Sequence, residues 1–189
     1  MNSELKQYLS ELKAYGIEKN IPNVTEVVGH FLNMMILIHR PKTILEIGCA
    51  NGYSTLWMAE AARKVGATIH TIDHSRPTFE EAQRNFSETG FDDIICPYFG
   101  EALSIIADFP KSTYFDFVFV DGKKAAYLDF WHAIRPRLAK RAVIIFDDMI
   151  AFQKKTKPFS DFIASVPDFD SVLLPIDEGD GILLLVPND

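Results

Sequence analysis

Seven short apolar runs punctuate the chain: TILEI (43–47), TIHTI (68–72), DIICPYF (93–99), DFVFV (116–120), AVIIF (142–146), SVLLPI (171–176) and GILLLV (181–186). Between them lie amphipathic segments of helical periodicity: YSTLWMAEAARKVG, RPTFEEAQRNFSETG, EALSIIADF, AAYLDFWHAIRPRLAK and KPFSDFIASV. Runs without strict polar alternation are covered on both faces, and the intervening helices are the cover. The pattern predicts an α/β fold with a doubly wound, mostly parallel seven-stranded sheet. Only DEGD separates the last two runs, too little for a crossover helix, so these two strands form an antiparallel hairpin at one edge.

Two helices precede the first strand. In SELKQYLSELKAYG, Leu5, Leu9, Leu12 and Tyr15 recur at helical spacing, and Gly16 reads as the stop. In NVTE, Asn23 and Glu26 have capping-box spacing, and the helix they open runs through VVGHFLNMMILIHR to Pro41. Residues 1–40 are expected to cap the ligand-binding end of the sheet, within one domain spanning 1–189. With 48% hydrophobic residues, a chain of 189 residues buries roughly 70% of its unfolded surface.

A net charge of −7 argues against a general nucleic-acid binder, whose affinity rests on clustered Lys and Arg. Cys49 and Cys96 form neither a disulfide framework nor a Cys-based zinc site, which suits a reduced, cytoplasmic protein. No stretch approaches the roughly twenty apolar residues of a membrane span.

In doubly wound sheets ligands bind beyond the carboxyl ends of the strands. Here five consecutive strand ends carry glycine or carboxylate: GCANGYS, Asp73, GEA, DGKK and the Asp147–Asp148 pair. The first loop has Gly48 and Gly52 for a tight turn, but Ala50 and Tyr53 stand where a dinucleotide fingerprint needs glycine, and no Walker sequence follows. Asp73 is placed to accept hydrogen bonds from a ribose diol. A nucleoside ligand without a phosphate chain fits this combination, and S-adenosylmethionine is such a ligand.

Asp121 ends the fourth strand and Asp147 and Asp148 the fifth. If these strands are neighbours, three carboxylates converge, and their repulsion is relieved by a cation bound through oxygen. Mg²⁺ suits this donor set, with Mn²⁺ or Ca²⁺ as alternatives and zinc a poor match. The competing reading makes Asp121 a helix cap and leaves Asp148 solvated. Lys124, three residues after Asp121, can face the same site, and beside a metal and a helix N-terminus its pKa would fall toward neutrality, as a base requires.

These residues resemble those of the metal- and S-adenosylmethionine-dependent O-methyltransferases that include catechol and caffeoyl-CoA O-methyltransferases. ILEIGCANGYST is similar to the family's cofactor loop, FVFVDGKKAAY to its metal-and-lysine segment, and IIFDDM to its Asp-Asn metal pair. The resemblance implies that Glu46, Gly48 and Ser54 hold the methionine part of the cofactor, Asp73 the ribose, and Glu101 with Ala102 the adenine. It implies Asp121, Asp147 and Asp148 as metal ligands and Lys124 as general base. Asp148 departs from the family's usual Asn, which puts the preferred metal in question.

The expected reaction is methyl transfer to a hydroxyl with a vicinal oxygen on a catechol-like small molecule. Rival readings are methylation of the wobble hydroxyuridine of tRNA, for which QKKTK (153–157) would meet phosphates, an NAD-dependent oxidoreductase, and a non-catalytic nucleoside-binding module. A second copy of the chain is a further candidate partner. Gly29 reads either as a neighbour of the methionine tail or as a helix packing contact, and His74 either as a neighbour of the adenine or, in preference, as a loop residue only.

Overall fold

The computed structural model describes residues 1–188. Its seven-stranded sheet has the order β3-β2-β1-β4-β5-β7-β6. The strands are β1 (Thr43–Ile47), β2 (Thr68–Asp73), β3 (Ile95–Phe99), β4 (Phe115–Val120), β5 (Leu138–Phe146), β6 (Phe169–Asp177) and β7 (Asp180–Pro187). The first five pair in parallel, and β7 runs antiparallel between β5 and β6. This is the doubly wound sheet with the C-terminal antiparallel hairpin that the apolar runs predict.

The helices are α1 (Ser3–Lys19), α2 (Glu26–His39), α3 (Tyr53–Val65), α4 (Arg76–Glu88), α5 (Ala102–Asp108), α6 (Tyr127–Ile134) and α7 (Gln153–Ile163). They divide the apolar residues between the two faces of the sheet. One face buries Leu9, Leu32, Ile36, Leu56 and Phe86 over Ile44, Phe117 and Ile145. The other packs Tyr127, Trp131 and Phe159 over Leu45, Val118 and Ile144. Successive strand residues point to opposite faces, so both sets must be apolar, and β4 is buried at five of its six positions. Among the described residues no helix is long and apolar enough to cross a membrane.

Two expectations about the N-terminal helices need correction. Gly16 does not stop α1; the helix continues to Lys19 and closes on Asn20 in the left-handed conformation, φ 57°. Gly16 is small because the Asn23 side chain lies against it, where a Cβ would come within 2.3 Å of the amide nitrogen. Asn23 is therefore not the cap of α2. Thr25 takes that role, its hydroxyl accepting from Val28 N at 3.2 Å.

Gly29 is a packing contact. A Cβ there would lie 2.6 Å from the Trp57 indole, so α2 and α3 approach closely only because the side chain is absent. Both N-terminal helices pack on the α3 side of the sheet, and Pro22 between them reaches the cleft described next.

Candidate active site

The parallel ladder continues one residue past the strand ends, which aligns them. Gly100 N donates to Asp73 O, Gly48 N to Ile72 O, Asp121 N to Ile47 O and Asp147 N to Val120 O, at 2.8–3.0 Å. Tyr127, fully buried, adds a clasp by donating its hydroxyl to Asp147 O at 2.9 Å and to Val120 O at 3.3 Å. The five strand ends singled out in the sequence thus stand in a row at one end of the sheet.

Along this row runs a cleft of about 660 Å³, within the range of small-ligand sites. Gly48, Asp73, Glu101, Ala102 and Asp121 all line it, joined by His74 and Lys123. Gly48, at φ 94°, has no room for a side chain, since a Cβ would stand 2.5 Å from Asp121 O. The loop after β1 and the loop after β4 therefore touch backbone to backbone. Asp73 ties the loops further by accepting from Ala50 N and Ser75 N, each at 2.8 Å. Ala50 takes the left-handed conformation, φ 47°, without being glycine.

Glu46 and Ser54 are brought together, but beneath the cleft rather than on its wall. Glu46 is fully buried and accepts hydroxyls from Ser54 at 2.6 Å, Thr55 at 2.5 Å and Thr71 at 2.6 Å. Burial pushes its carboxyl up to about 7, against the pull of the three hydroxyls. Both oxygens serve to bolt β1, β2 and the start of α3 together. The sequence pointed to Glu46 and Ser54 but not to Thr55 and Thr71, whose only signal was a buried acid needing partners.

Two of the three expected carboxylates, Asp121 and Asp148, meet around an ammonium. Lys124 Nζ lies 2.5 Å from Asp121 Oδ1 and 2.6 Å from Asp148 Oδ2. Burial, then the Lys124 charge pulling the other way, leaves the Asp121 carboxyl above the usual range. Asp147 is raised by burial and by the charges of Asp121 and Asp148. Asp148 is raised by burial and by a carboxyl–carboxyl hydrogen bond with Asp180, a residue that the sequence reading missed.

With only the protein's own groups around it, Lys124 has a pKa on the other side of its ordinary value from the depression expected beside a bound cation. Burial alone would lower it, but Asp121 and Asp148 together outweigh burial and hold it above the ordinary lysine value. Among the described residues, no three acidic, His or Cys side chains stand in a metal-ligating arrangement. The donor chemistry is nevertheless that of a hard cation: Asp121 and Asp148 meet at Lys124, and the buried Asp147 carboxyl feels the charge of both.

A seven-stranded sheet of the order β3-β2-β1-β4-β5-β7-β6, with β7 antiparallel and a small-ligand cleft across the strand ends, is the architecture of a class I methyltransferase. The profile of a methyltransferase-domain family matches residues 45–149. The chain belongs to this family.

It is 30% identical over 124 residues to a catechol O-methyltransferase of Niastella koreensis, covering 65% of this chain and 55% of that protein. It is 34% identical over 126 residues to a catechol O-methyltransferase of Mycobacterium tuberculosis, covering 65% of this chain and 54% of that one. The chain thus spans little more than half the length of these relatives. Among solved structures, an O-methyltransferase from Bacillus cereus in complex with SAH superposes with a TM-score of 0.87 at 23% identity, over 100% of this chain and 92% of the other, and shows the shared fold.

Proposed function

We propose that this chain is an S-adenosylmethionine-dependent O-methyltransferase that uses a divalent cation, Mg²⁺ ahead of Mn²⁺ or Ca²⁺, to methylate a hydroxyl beside a second oxygen on a small catechol-like molecule. The observation carrying this reading is the largely buried Lys124 gripped by Asp148 and by Asp121, which lines the same cleft as Asp73. The names of the two catechol-methylating relatives support the substrate class.

Asp73 would receive the ribose of the cofactor, and Glu101 with Ala102 would border its adenine; all three line the cleft. Gly48 leaves its backbone open to the methionine part, while Glu46 and Ser54 act from below by fixing the loop. Asp121, Asp147 and Asp148 would hold the cation. When bound, it favours the ionised hydroxyl: a phenol near pKa 10 needs roughly 4 kcal/mol to ionise fully at neutral pH.

Lys124 Nζ is the proton acceptor in this reading. It is charged while Asp121 and Asp148 stay anionic and close, so satisfying those carboxylates otherwise removes what holds its proton. Phe152, 39% exposed with its ring 5.8 Å from Lys124 Nζ, offers an apolar face to an aromatic acceptor. Positioning the hydroxyl in line with the methyl group supplies much of the remaining acceleration.

The test is transfer of a labelled methyl group to vicinal diphenols, the matching monophenols and hydroxyuridine tRNA, each with and without chelator. Chelator-sensitive labelling of the diphenols supports the proposal. Labelling of tRNA alone would replace the small-molecule acceptor by a nucleic acid.

A further inference from the structure

Asp180 opens β7, beyond the two-residue turn that ends β6, and no expectation from the sequence assigned it a role. Its Oδ1 accepts from Ile150 N at 3.1 Å, Ala151 N at 3.0 Å and its own neighbour Gly181 N at 2.6 Å. Met149 N donates to Gly181 O at 2.8 Å. The start of β7 is thus stitched to three consecutive residues of the loop after β5, Met149–Ala151, through one carboxylate and one carbonyl.

The stitch is close. A Cβ at Gly181 would stand 2.7 Å from Ile150 Cδ1 and 2.5 Å from Leu174 O. It also holds a conformation that needs holding, since Asp148 sits at φ 57°, a region that residues other than glycine enter at a cost. Asp148 is the residue whose Oδ2 reaches Lys124.

We propose that Asp180 is the positioning residue of the carboxylate site: by taking the amide hydrogens of Ile150 and Ala151 on one oxygen, it fixes the left-handed turn that aims Asp148 at Lys124 and at the proposed cation. The inference rests on the cation-assisted reading above. Asp180 acts through Asp148, and its acceptor oxygen, rather than its charge, is what the turn requires.

Mn²⁺ binding measured by electron paramagnetic resonance on the full chain separates the outcomes. Asp180→Ala weakens Mn²⁺ affinity at least about tenfold and Asp180→Asn, which keeps the acceptor oxygen, stays within about threefold of wild type, while calorimetric affinity for S-adenosylhomocysteine is unchanged in both. Equal affinity in Asp180→Ala and wild type overturns the inference and leaves the cation reading standing. Equal loss in both variants also overturns it, since the charge would then matter. A wild type that takes up no Mn²⁺ defeats the cation reading and this inference together. Should Asp180→Ala not fold, hydrogen exchange on wild type decides: the Ile150 and Ala151 amides are protected, and free exchange at both would contradict the clamp.

Discussion

The Lys124 ammonium is held 2.6 Å from the Asp148 carboxylate, with a second anchor at Asp121, and the lysine side chain is only 13% exposed. In this arrangement the lysine is a structural counter-ion before it is a base. Removing one partner of such a pair leaves uncompensated buried charge, which costs about 3–5 kcal/mol.

Lys124→Met is therefore expected to destabilise the chain in chelator and to regain more stability from millimolar Mg²⁺ than wild type does, because the freed carboxylates then need an external cation. Thermal melts with and without Mg²⁺ measure this. Methyl transfer by the same variant falls by roughly 10²–10⁴, the contribution typical of a positioned base.

Glu46 gives stability a pH dependence of defined sign. Its carboxyl stands at about 7 in the folded chain against an ordinary 4.5, so the folded state binds the proton more tightly. The contribution is complete below about pH 4.5 and is lost as pH rises through 7. Denaturant unfolding of wild type and Glu46→Gln across pH 4.5–8 should show the wild type losing stability relative to the variant as pH rises; a constant gap would contradict the assignment.

Gly48→Ala combines a left-handed backbone with a Cβ 2.5 Å from Asp121 O. Conformation alone costs about 1–2 kcal/mol, and the clash moves the loop at Asp121 as well. Lower melting temperature and weaker S-adenosylhomocysteine binding by calorimetry are both expected. Ala50→Gly is the opposite case, removing strain at φ 47° and leaving stability unchanged or up to about 1 kcal/mol higher.

Gly29→Ala tests the packing assignment away from the cleft. Its Cβ meets the Trp57 ring at 2.6 Å, so α2 must shift from α3, at about 1–3 kcal/mol. Unfolding midpoint drops while cofactor affinity holds; the reverse pattern would return Gly29 to the cofactor site.

The sheet was legible because burial on both faces leaves an uninterrupted apolar run, which TILEI, DFVFV and AVIIF show directly. Gly48, Asp73, Glu101, Ala102 and Asp121 were legible as cleft residues because strand ends in a parallel sheet share one edge, and the ladder past Ile47 and Val120 keeps them there. Side-chain partnerships across loops were not legible. Nothing in the order of residues says that Asp180 reaches Ile150 and Ala151, that Lys124 is pinned by Asp148, or that Glu46 is saturated by Thr55 and Thr71. Local signals also misled where tertiary packing won: Gly16 served Asn23 rather than a helix end, and Thr25 took the cap from Asn23.

The most direct test of the central claim is methyl transfer from S-adenosylmethionine to a vicinal diphenol, followed while Mg²⁺ is titrated into chelator-stripped protein. The account predicts negligible transfer without the cation, saturable recovery with it, and no recovery in Asp147→Ala that still binds S-adenosylhomocysteine. Full transfer in the stripped protein, or undiminished transfer by Asp147→Ala, would contradict it.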